Sequence, residues 1–139
     1  MTAISALRLV FWLILAGMLA AIVRASALCP LFEIPPEVLQ HPWFLTTLID
    51  AYLAFFVVYL WVAWKERSFA ARVLWFFVLM LWGNVGIAVY VLRELYRLNP
   101  DERPLRLVSE ARPGHVLLPS ILTALAVLVY AWGARGHFA

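Results

Sequence analysis

Four long apolar stretches, separated by shorter polar or proline-rich segments, organise this chain of 139 residues. We expect helices at about residues 8–27, 43–64, 69–97 and 116–134, the third continuing past its apolar part as a polar helix end. An apolar helix of about 20 residues crosses the hydrocarbon core of a bilayer, where only helices or closed barrels satisfy their backbone hydrogen bonds. Because four segments cannot close a barrel, the pattern predicts an all-α fold, an integral membrane bundle of four transmembrane helices.

The connections between these helices differ in length. Residues 28–42 are rich in proline and residues 98–115 are charged, and four alternating crossings put both on one face as an extramembrane cap. The other face receives only the short turn at 65–68 and the two chain ends. The sequence therefore predicts a single transmembrane domain over residues 1–139, with its extramembrane mass on one side.

The composition supports a membrane protein and excludes several other classes. Hydrophobic residues make up 65% of the chain and charged residues 14%, whereas about 25% of the residues of an ordinary soluble domain are charged. The net charge is +3, but no run of Lys and Arg with interleaved aromatic residues lies outside the apolar segments, so we expect no nucleic-acid partner. The single cysteine, Cys29, excludes an internal disulfide.

The basic residues bear on orientation, because short loops rich in Lys and Arg stay in the cytoplasm. With four crossings the counts for the two faces nearly tie. One face holds Arg8, Lys65, Arg67, Arg72 and Arg135, and the other holds Arg24, Arg93, Arg97, Arg103, Arg106 and Arg112. The tightest loop, at 65–68, belongs to the first face. We therefore expect a multi-pass protein of the inner (cytoplasmic) membrane with both termini in the cytoplasm.

Asp50 is the acidic residue that lies inside the apolar part of a predicted span, and it is the main candidate for chemistry. A carboxylate in hydrocarbon usually faces a protein partner or is protonated. Asp50 and Asn84 lie at similar depth, so antiparallel neighbours would bring them together with Thr46, Thr47 and, from the same face, Arg24. Such an intramembrane polar cluster is either a proton-handling or ligand-orienting site, or a hydrogen-bonded clamp between helices.

Small residues predict where helices pack closely. Gly17 and Ala21 are about one turn apart on the first span, and Gly83 and Gly86 flank Asn84 on the third. Small side chains at this spacing let two backbones approach each other in a bilayer. We therefore expect close helix contacts at these positions, inside the bundle or against a partner.

A second group of polar residues falls near the predicted cap. Glu33, Glu37, His41 and His115 are residue types that bind metals. Prolines break any helical face that the first two would share, and no HExxH or ExxH spacing occurs, so ordinary interfacial residues are the better interpretation. We predict no metal and no cofactor. The aromatic residues along the spans are compatible with a bound lipid, quinone or pigment, but side chains that face lipid are the better interpretation.

Several short motifs in the second and third spans resemble a known family. They are HPWF at 41–44, DAY at 50–52, WVAWKE at 61–66 and the GN pair at 83–84. In this order and spacing, over about residues 8–98, the chain resembles a family of small bacterial integral membrane proteins known only as a domain of unknown function. The resemblance implies a compact helical membrane module and marks Asp50 and Asn84 as its polar pair, but it supplies no activity.

Two functions remain open. The small size, the aromatic-rich surfaces and the lack of catalytic motifs favour an accessory or scaffold subunit of a larger membrane complex, such as an energy-transducing one. Its partners would be the lipid bilayer and either other membrane subunits or itself. The alternative is a membrane-embedded enzyme or binding protein for a lipidic or isoprenoid substrate, with Asp50 as acid or base and Asn84 orienting it. The sequence favours the first function, which is not enzymatic.

Overall fold

The computed structural model describes residues 2–111 and 113–135, and the regular elements in those ranges are helices. They are α1 (Ala3–Leu28), α2 (Pro36–Leu39), α3 (Pro42–Lys65), α4 (Phe69–Trp82), α5 (Asn84–Tyr96), α6 (Leu105–Ser109) and α7 (Leu117–Arg135), with a 3-10 turn at Leu31–Glu33. The all-α class predicted from the sequence is confirmed.

Three of the described helices, α1, α3 and α7, are long and apolar enough to cross a membrane. They contain 26, 24 and 19 residues. Even the shortest rises roughly 28 Å, close to the thickness of a hydrocarbon core. Pro42 is accommodated because it occupies the first turn of α3, where no intrahelical hydrogen bond is lost. The predicted count of four spans is not confirmed.

The segment predicted as the third span is divided into two helices that fold back on each other. Its first part, α4, has 14 residues and rises only roughly 21 Å, too short to cross the core. The ring centroids of Trp75 in α4 and Tyr90 in α5 are 4.7 Å apart. A straight helix would separate these residues by roughly 22 Å. Helices α4 and α5 therefore form an antiparallel hairpin, not the single helix expected over 69–97.

Two glycines permit this reversal. Gly83 lies between the two helices with a φ of +52° and a ψ of −125°, a conformation that a residue with a Cβ rarely adopts. A Cβ on Gly86 would lie 2.9 Å from the carbonyl oxygen of Val78, so the absent side chain lets α5 lie close to α4. Gly83 and Gly86 thus mark a close approach of two helices, as expected, but within one hairpin.

The hairpin determines which helix ends lie together. Arg8, near the start of α1, donates hydrogen bonds to the carbonyl oxygens of Leu95 at 2.9 Å and Leu98 at 2.8 Å, at the end of α5. A Cβ on Gly114, just before α7, would touch Ser68 at the start of α4. The starts of α1, α4 and α7 and the ends of α3 and α5 therefore share one end of the bundle, which we call the hairpin face.

The opposite face holds the end of α1, the 3-10 turn, α2, the start of α3 and the end of α7. There, the rings of Phe32 and Tyr130 pack edge to face with centroids 6.4 Å apart, and a Cβ on Gly133 would lie 3.0 Å from the Phe32 ring. Because α5 returns to the hairpin face before the second connection begins, residues 28–42 and 98–115 lie at opposite ends of the bundle and do not form one cap.

The buried core is centred on the hairpin. Val62, Trp75 and Tyr90 pack together where α3 meets the hairpin, and Leu15 and Ala88 belong to a second cluster where α1 meets α5. In contrast, almost none of the most apolar part of α1 or α3 is buried within the described chain. The long helices therefore surround the hairpin and turn most of their apolar surface outward.

Candidate functional site

Asp50 lies on the outer surface of α3. It is exposed, about 12 Å from the start of the helix, and it makes no hydrogen bond or ion pair within the described residues. Thr46 and Thr47, one turn earlier, donate instead to carbonyl oxygens of their own helix, at 2.9 Å to Pro42 and 2.8 Å to Trp43. The Asp50 side chain is thus left facing away from the rest of the chain.

The other two members of the expected polar cluster lie apart. Asn84 is exposed at the tip of the hairpin as the first residue of α5, and Arg24 is exposed near the end of α1. In the part of the chain that the structure describes, no hydrogen bond or ion pair joins either of them to Asp50. The reversal explains this, because Phe55, not Asp50, is the α3 residue beside Gly83.

The four weak metal candidates are all exposed, and they do not converge. Glu33, Glu37 and His41 belong to the opposite face, whereas His115 precedes α7 at the hairpin face. Over residues 2–111 and 113–135, no group of three or more His, Cys, Asp or Glu side chains is arranged to hold a metal ion. The return of α5 again accounts for the separation.

The small residues of α1 do not contact another helix. A Cβ added to Gly17 would find no atom within 4 Å, and Ala21 is exposed. These two positions therefore belong to the outward surface of α1. The close helix contact expected there would have to be with a partner outside the chain.

The structure instead assembles a buried group of charged residues at the hairpin face. Lys65 is the last residue of α3 and Glu66 follows it, and Arg93 and Glu94 lie near the end of α5. Lys65 Nζ is 2.9 Å from Glu94 Oε2, and Arg93 Nη1 is 2.7 Å from Glu66 Oε1. The side chains of Lys65, Glu66 and Glu94 are at most 1% exposed, so partner charges replace water around them. We call these four residues the charge cluster.

Further hydrogen bonds connect the charge cluster to neighbouring elements. Arg97 Nη1 donates to Glu94 Oε1 at 2.8 Å, and Arg72 Nε donates to the carbonyl oxygen of Glu66 at 2.7 Å. Lys65 also donates to a backbone carbonyl oxygen of α6. Four helices, α3 to α6, therefore meet at this cluster.

Aromatic rings border the charge cluster. Trp75 and Tyr90 have their ring centroids 5.6 and 5.7 Å from the guanidinium carbon of Arg93, within the range of cation–π attraction. Four buried polar atoms of the cluster and its border have no hydrogen-bond partner in the described residues: Glu66 Oε2, Arg93 Nη2, Tyr90 Oη and Trp75 Nε1. Such atoms are unusual in folded proteins.

The charge cluster offers ion pairing and no evident catalytic arrangement. Its two carboxylates are each held by a cation, and the cluster contains no Ser, Cys or His that would serve as a nucleophile or base. Lys65 and the adjacent Glu66 bind two adjacent residues of α5, which fastens the open end of the hairpin to the end of α3. The geometry therefore describes a structural anchor.

Sequence analysis missed this cluster for a specific reason. A continuous third helix puts residues 65–66 and 93–94 on opposite faces of the membrane. Two features of the sequence point to the cluster. One is the GN pair in the middle of that span, and the other is the Lys-Glu and the Arg-Glu dipeptide at the ends of apolar segments. A glycine next to an asparagine is typical of a tight reversal. Two dipeptides that each carry a cation and an anion form ion pairs once the ends of the two helices lie on the same face.

Residues 2–109 match the model of a family described as "Protein of unknown function (DUF1475)". The chain belongs to this family. The expected membership in a family of unknown function is thus confirmed, and the DUF1475 match includes the hairpin and the charge cluster, whereas α7 lies beyond it. No curated protein and no solved structure matches the chain.

Proposed function

We propose that this DUF1475 protein is an accessory or scaffold subunit of a larger membrane protein complex. The observation that carries the proposal is the exposed Asp50 within the apolar length of α3, which has no partner in the described residues. A carboxylate at the centre of a membrane helix costs about 2.5–3.5 kcal/mol on insertion scales, so such residues turn toward a protein partner. Here a partner chain would have to supply that environment.

The surroundings of Asp50 fit a helix of another subunit. Ile49, Leu53 and Val57 on the same side of α3 are each at least 60% exposed, which gives a continuous apolar surface around the carboxylate. A partner helix that carries a hydrogen-bond donor or a cation at the depth of Asp50 would satisfy the carboxylate and cover this surface. An energy-transducing complex is one kind of membrane assembly that would supply such a partner helix.

The alternative function has less support. An enzyme or lipid-binding protein that uses Asp50 and Asn84 at one site needs the two side chains to act on the same ligand. Asp50 points outward from α3 and Asn84 lies at the hairpin tip, with no hydrogen bond between them. The described residues supply no third group that would join them.

We also propose an orientation in the inner membrane. With the hairpin, the described basic residues at the hairpin face are Arg8, Lys65, Arg67, Arg72, Arg93, Arg97, Arg103 and Arg106, against Arg24 and Arg135 at the opposite face. Positively charged loops stay in the cytoplasm. The start of α1 would then be cytoplasmic and the end of α7 would lie across the membrane, in contrast to the expectation that both termini are cytoplasmic.

Purification of the full-length tagged protein from its native membranes in a mild detergent tests the proposed function. We expect stoichiometric partner subunits by mass spectrometry, and we expect Asp50→Asn to reduce their recovery about tenfold, equivalent to about 1.4 kcal/mol of contact free energy. Asp101→Asn makes the same chemical change in an exposed loop and should leave recovery unchanged. A protein that purifies only as a monomer, or only with copies of itself, would overturn the proposal.

A further inference from the structure

Helix α1 carries a row of outward residues that contains one arginine. Steps of three and four positions alternate along this row, as they do in the contact line of two supercoiled helices. Its members are all exposed: Val10, Leu13, Gly17, Ala20, Arg24 and Ala27. Over the described residues, Arg24 makes no hydrogen bond or ion pair. We call this set the α1 row.

Helix α3 carries a second outward row with the same spacing and the opposite charge. Its members are also exposed: Trp43, Thr46, Asp50, Leu53, Val57 and Leu60. We call this set the α3 row. The α1 row therefore presents one cation, and the α3 row presents one anion that has no partner among the described residues.

The two charges lie near the same depth in the bundle. Helix α1 ends and α3 begins at the opposite face; Arg24 lies four positions before Leu28 and Asp50 eight positions after Pro42. These positions are roughly 6 and 12 Å from that face. Each Cα–Cβ bond tilts toward the start of its own helix, so Arg24 tilts into the membrane and Asp50 tilts toward the opposite face. The long arginine side chain spans the remaining difference.

The apolar parts of the two rows also match in depth. Gly17 and Leu53 both lie roughly 17 Å from the opposite face, and Leu13 and Val57 both lie roughly 23 Å from it. A Cβ on Gly17 would find no atom within 4 Å, so the space beside it is open to a large side chain. A small residue that faces a leucine allows two helices to approach closely in a bilayer.

A second copy of the chain brings these rows together in the required direction. Copies of one chain enter the membrane with the same orientation, because the same basic residues direct each of them. The α1 helix of one copy therefore runs antiparallel to α3 of its neighbour, as the depth match requires. Two α3 helices would instead lie parallel, with Asp50 beside Asp50, and like charges in contact are unfavourable. Arg135, the other described basic residue at the opposite face, ends α7 and lies farther from the depth of Asp50.

From these observations we infer that a second copy of this chain docks its α1 row on the α3 row, and that Arg24 of one copy forms an ion pair with Asp50 of the other. The alternating spacing sets a shallow left-handed crossing of about 20° between the two helices. This contact rests on the proposed function in one respect, namely that Asp50 faces another chain. The chain it faces is then a second copy, and the remaining subunits of the complex join the assembled copies.

Two full-length copies with different affinity tags, expressed in one membrane, test the contact. We expect the unmodified copies to purify together in a mild detergent. Arg24→Gln in both copies should reduce recovery of the second copy about tenfold, and so should Asp50→Asn in both copies. Arg67→Gln and Asp101→Asn are the matched controls, since both residues are exposed and lie outside the two rows. Full recovery of the Arg24→Gln copies would overturn the inference.

Exchanged charges separate a direct ion pair from an indirect effect. A copy with Arg24→Asp keeps its Asp50, and a copy with Asp50→Arg keeps its Arg24. Either variant alone therefore brings like charges together, whereas the two variants expressed together bring an acid at position 24 of one copy to a base at position 50 of the other. We expect each variant to fail to bind itself and the two to bind each other. A mixed pair that binds no better than either variant alone contradicts the ion pair.

Disulfide cross-linking leaves both charges in place. In a Cys29→Ser background, one copy carries Gly17→Cys and the other carries Leu53→Cys, and a mild oxidant should join them, because a disulfide needs Cα atoms within about 7 Å. Gly17→Cys with Leu60→Cys is the matched control, since these positions belong to the same rows but differ in depth by roughly 10 Å. Equal linking of both pairs, or linking of neither, overturns the inference.

These results are separable from the test of the accessory role. Copies that bind each other and recover no other subunit support the inference and overturn the proposed function. Other subunits that purify from native membranes with a single copy of this chain do the reverse. Arg24→Gln decides which chain occupies the α3 row, because a foreign helix that faces Asp50 does not depend on Arg24.

Discussion

Among single residues, Lys65 and Glu94 form an ion pair in which both side chains are 1% exposed. Their charges were moved out of water when the hairpin packed against α3, and each now depends on the other. Arg97 at 2.8 Å and Arg93 at 3.9 Å also contact Glu94, so the carboxylate of Glu94 holds three cations at once. The stability of the hairpin should therefore depend strongly on this one acid.

Glu94→Gln should destabilise the protein by about 3–5 kcal/mol, because it leaves Lys65 buried without its counter-charge. The change is measurable as a shift in unfolding, followed by tryptophan fluorescence in detergent. Glu102→Gln is the matched control, since Glu102 pairs with the half-exposed Arg106, and surface pairs contribute about 0–1 kcal/mol.

A double variant separates the cost of an unpaired buried charge from the cost of losing the ion-pair contact. Lys65→Met with Glu94→Leu removes both charges, so its stability should lie well above that of Glu94→Gln alone. If the Glu94→Gln protein is as stable as the original, the Lys65–Glu94 ion pair contributes nothing to the free energy of unfolding.

The two main features at the residue scale differ in how visible they are in the sequence. Asp50 is predictable as an intramembrane carboxylate, because a single acid in a long apolar run is visible in the sequence alone. Its outward direction on α3 was not predictable, since it depends on which side of the helix meets α4. The charge cluster was missed because its two halves lie far apart along the chain and meet only when the chain reverses.

At the scale of elements, the reversal at Gly83 distinguishes this fold from a simple four-helix bundle. The apolar length from 69 to 92 equals that of a span, so hydropathy alone cannot separate one crossing helix from two short ones that return. The deciding information is the positive φ of Gly83 and the close approach at Gly86. The other three spans were predicted well because they are uninterrupted.

Gly83→Ala should destabilise the protein by about 1–3 kcal/mol, since alanine is strained at this φ and ψ. The added Cβ would also lie 2.7 Å from the ring of Phe55. Gly17→Ala is the opposite case: a Cβ there meets no atom within 4 Å, and a helical glycine replaced by alanine should stabilise α1 by about 0.5–1 kcal/mol. Thermal unfolding of both variants in the same detergent checks the sign of each effect.

At the scale of the whole molecule, three helices long and apolar enough to cross a membrane and one hairpin that returns would make the two ends of the described chain emerge on different sides. Four crossings would place the two ends on the same side. An experiment that locates both ends of the bundle therefore also distinguishes three crossings from four. Cys29 follows α1 at the opposite face, and Ser109 ends α6 at the hairpin face.

A maleimide that cannot cross membranes should label Cys29 in intact cells. In a Cys29→Ser background, Ser109→Cys should be labelled only after permeabilisation, because the positively charged hairpin face is cytoplasmic in the proposed orientation. Labelling of both positions from the same side would contradict the hairpin arrangement and support the four-span alternative.

The hairpin also dictates an order of events during synthesis. Glu66 leaves the ribosome 28 residues before Glu94, an interval of roughly 1–6 s at ordinary translation rates. Throughout that interval Lys65 and Glu66 lack the ion-pair partners that α5 supplies. We therefore expect the hairpin to be a late insertion between α1 and α3, whose ion pairs close only as α5 is completed.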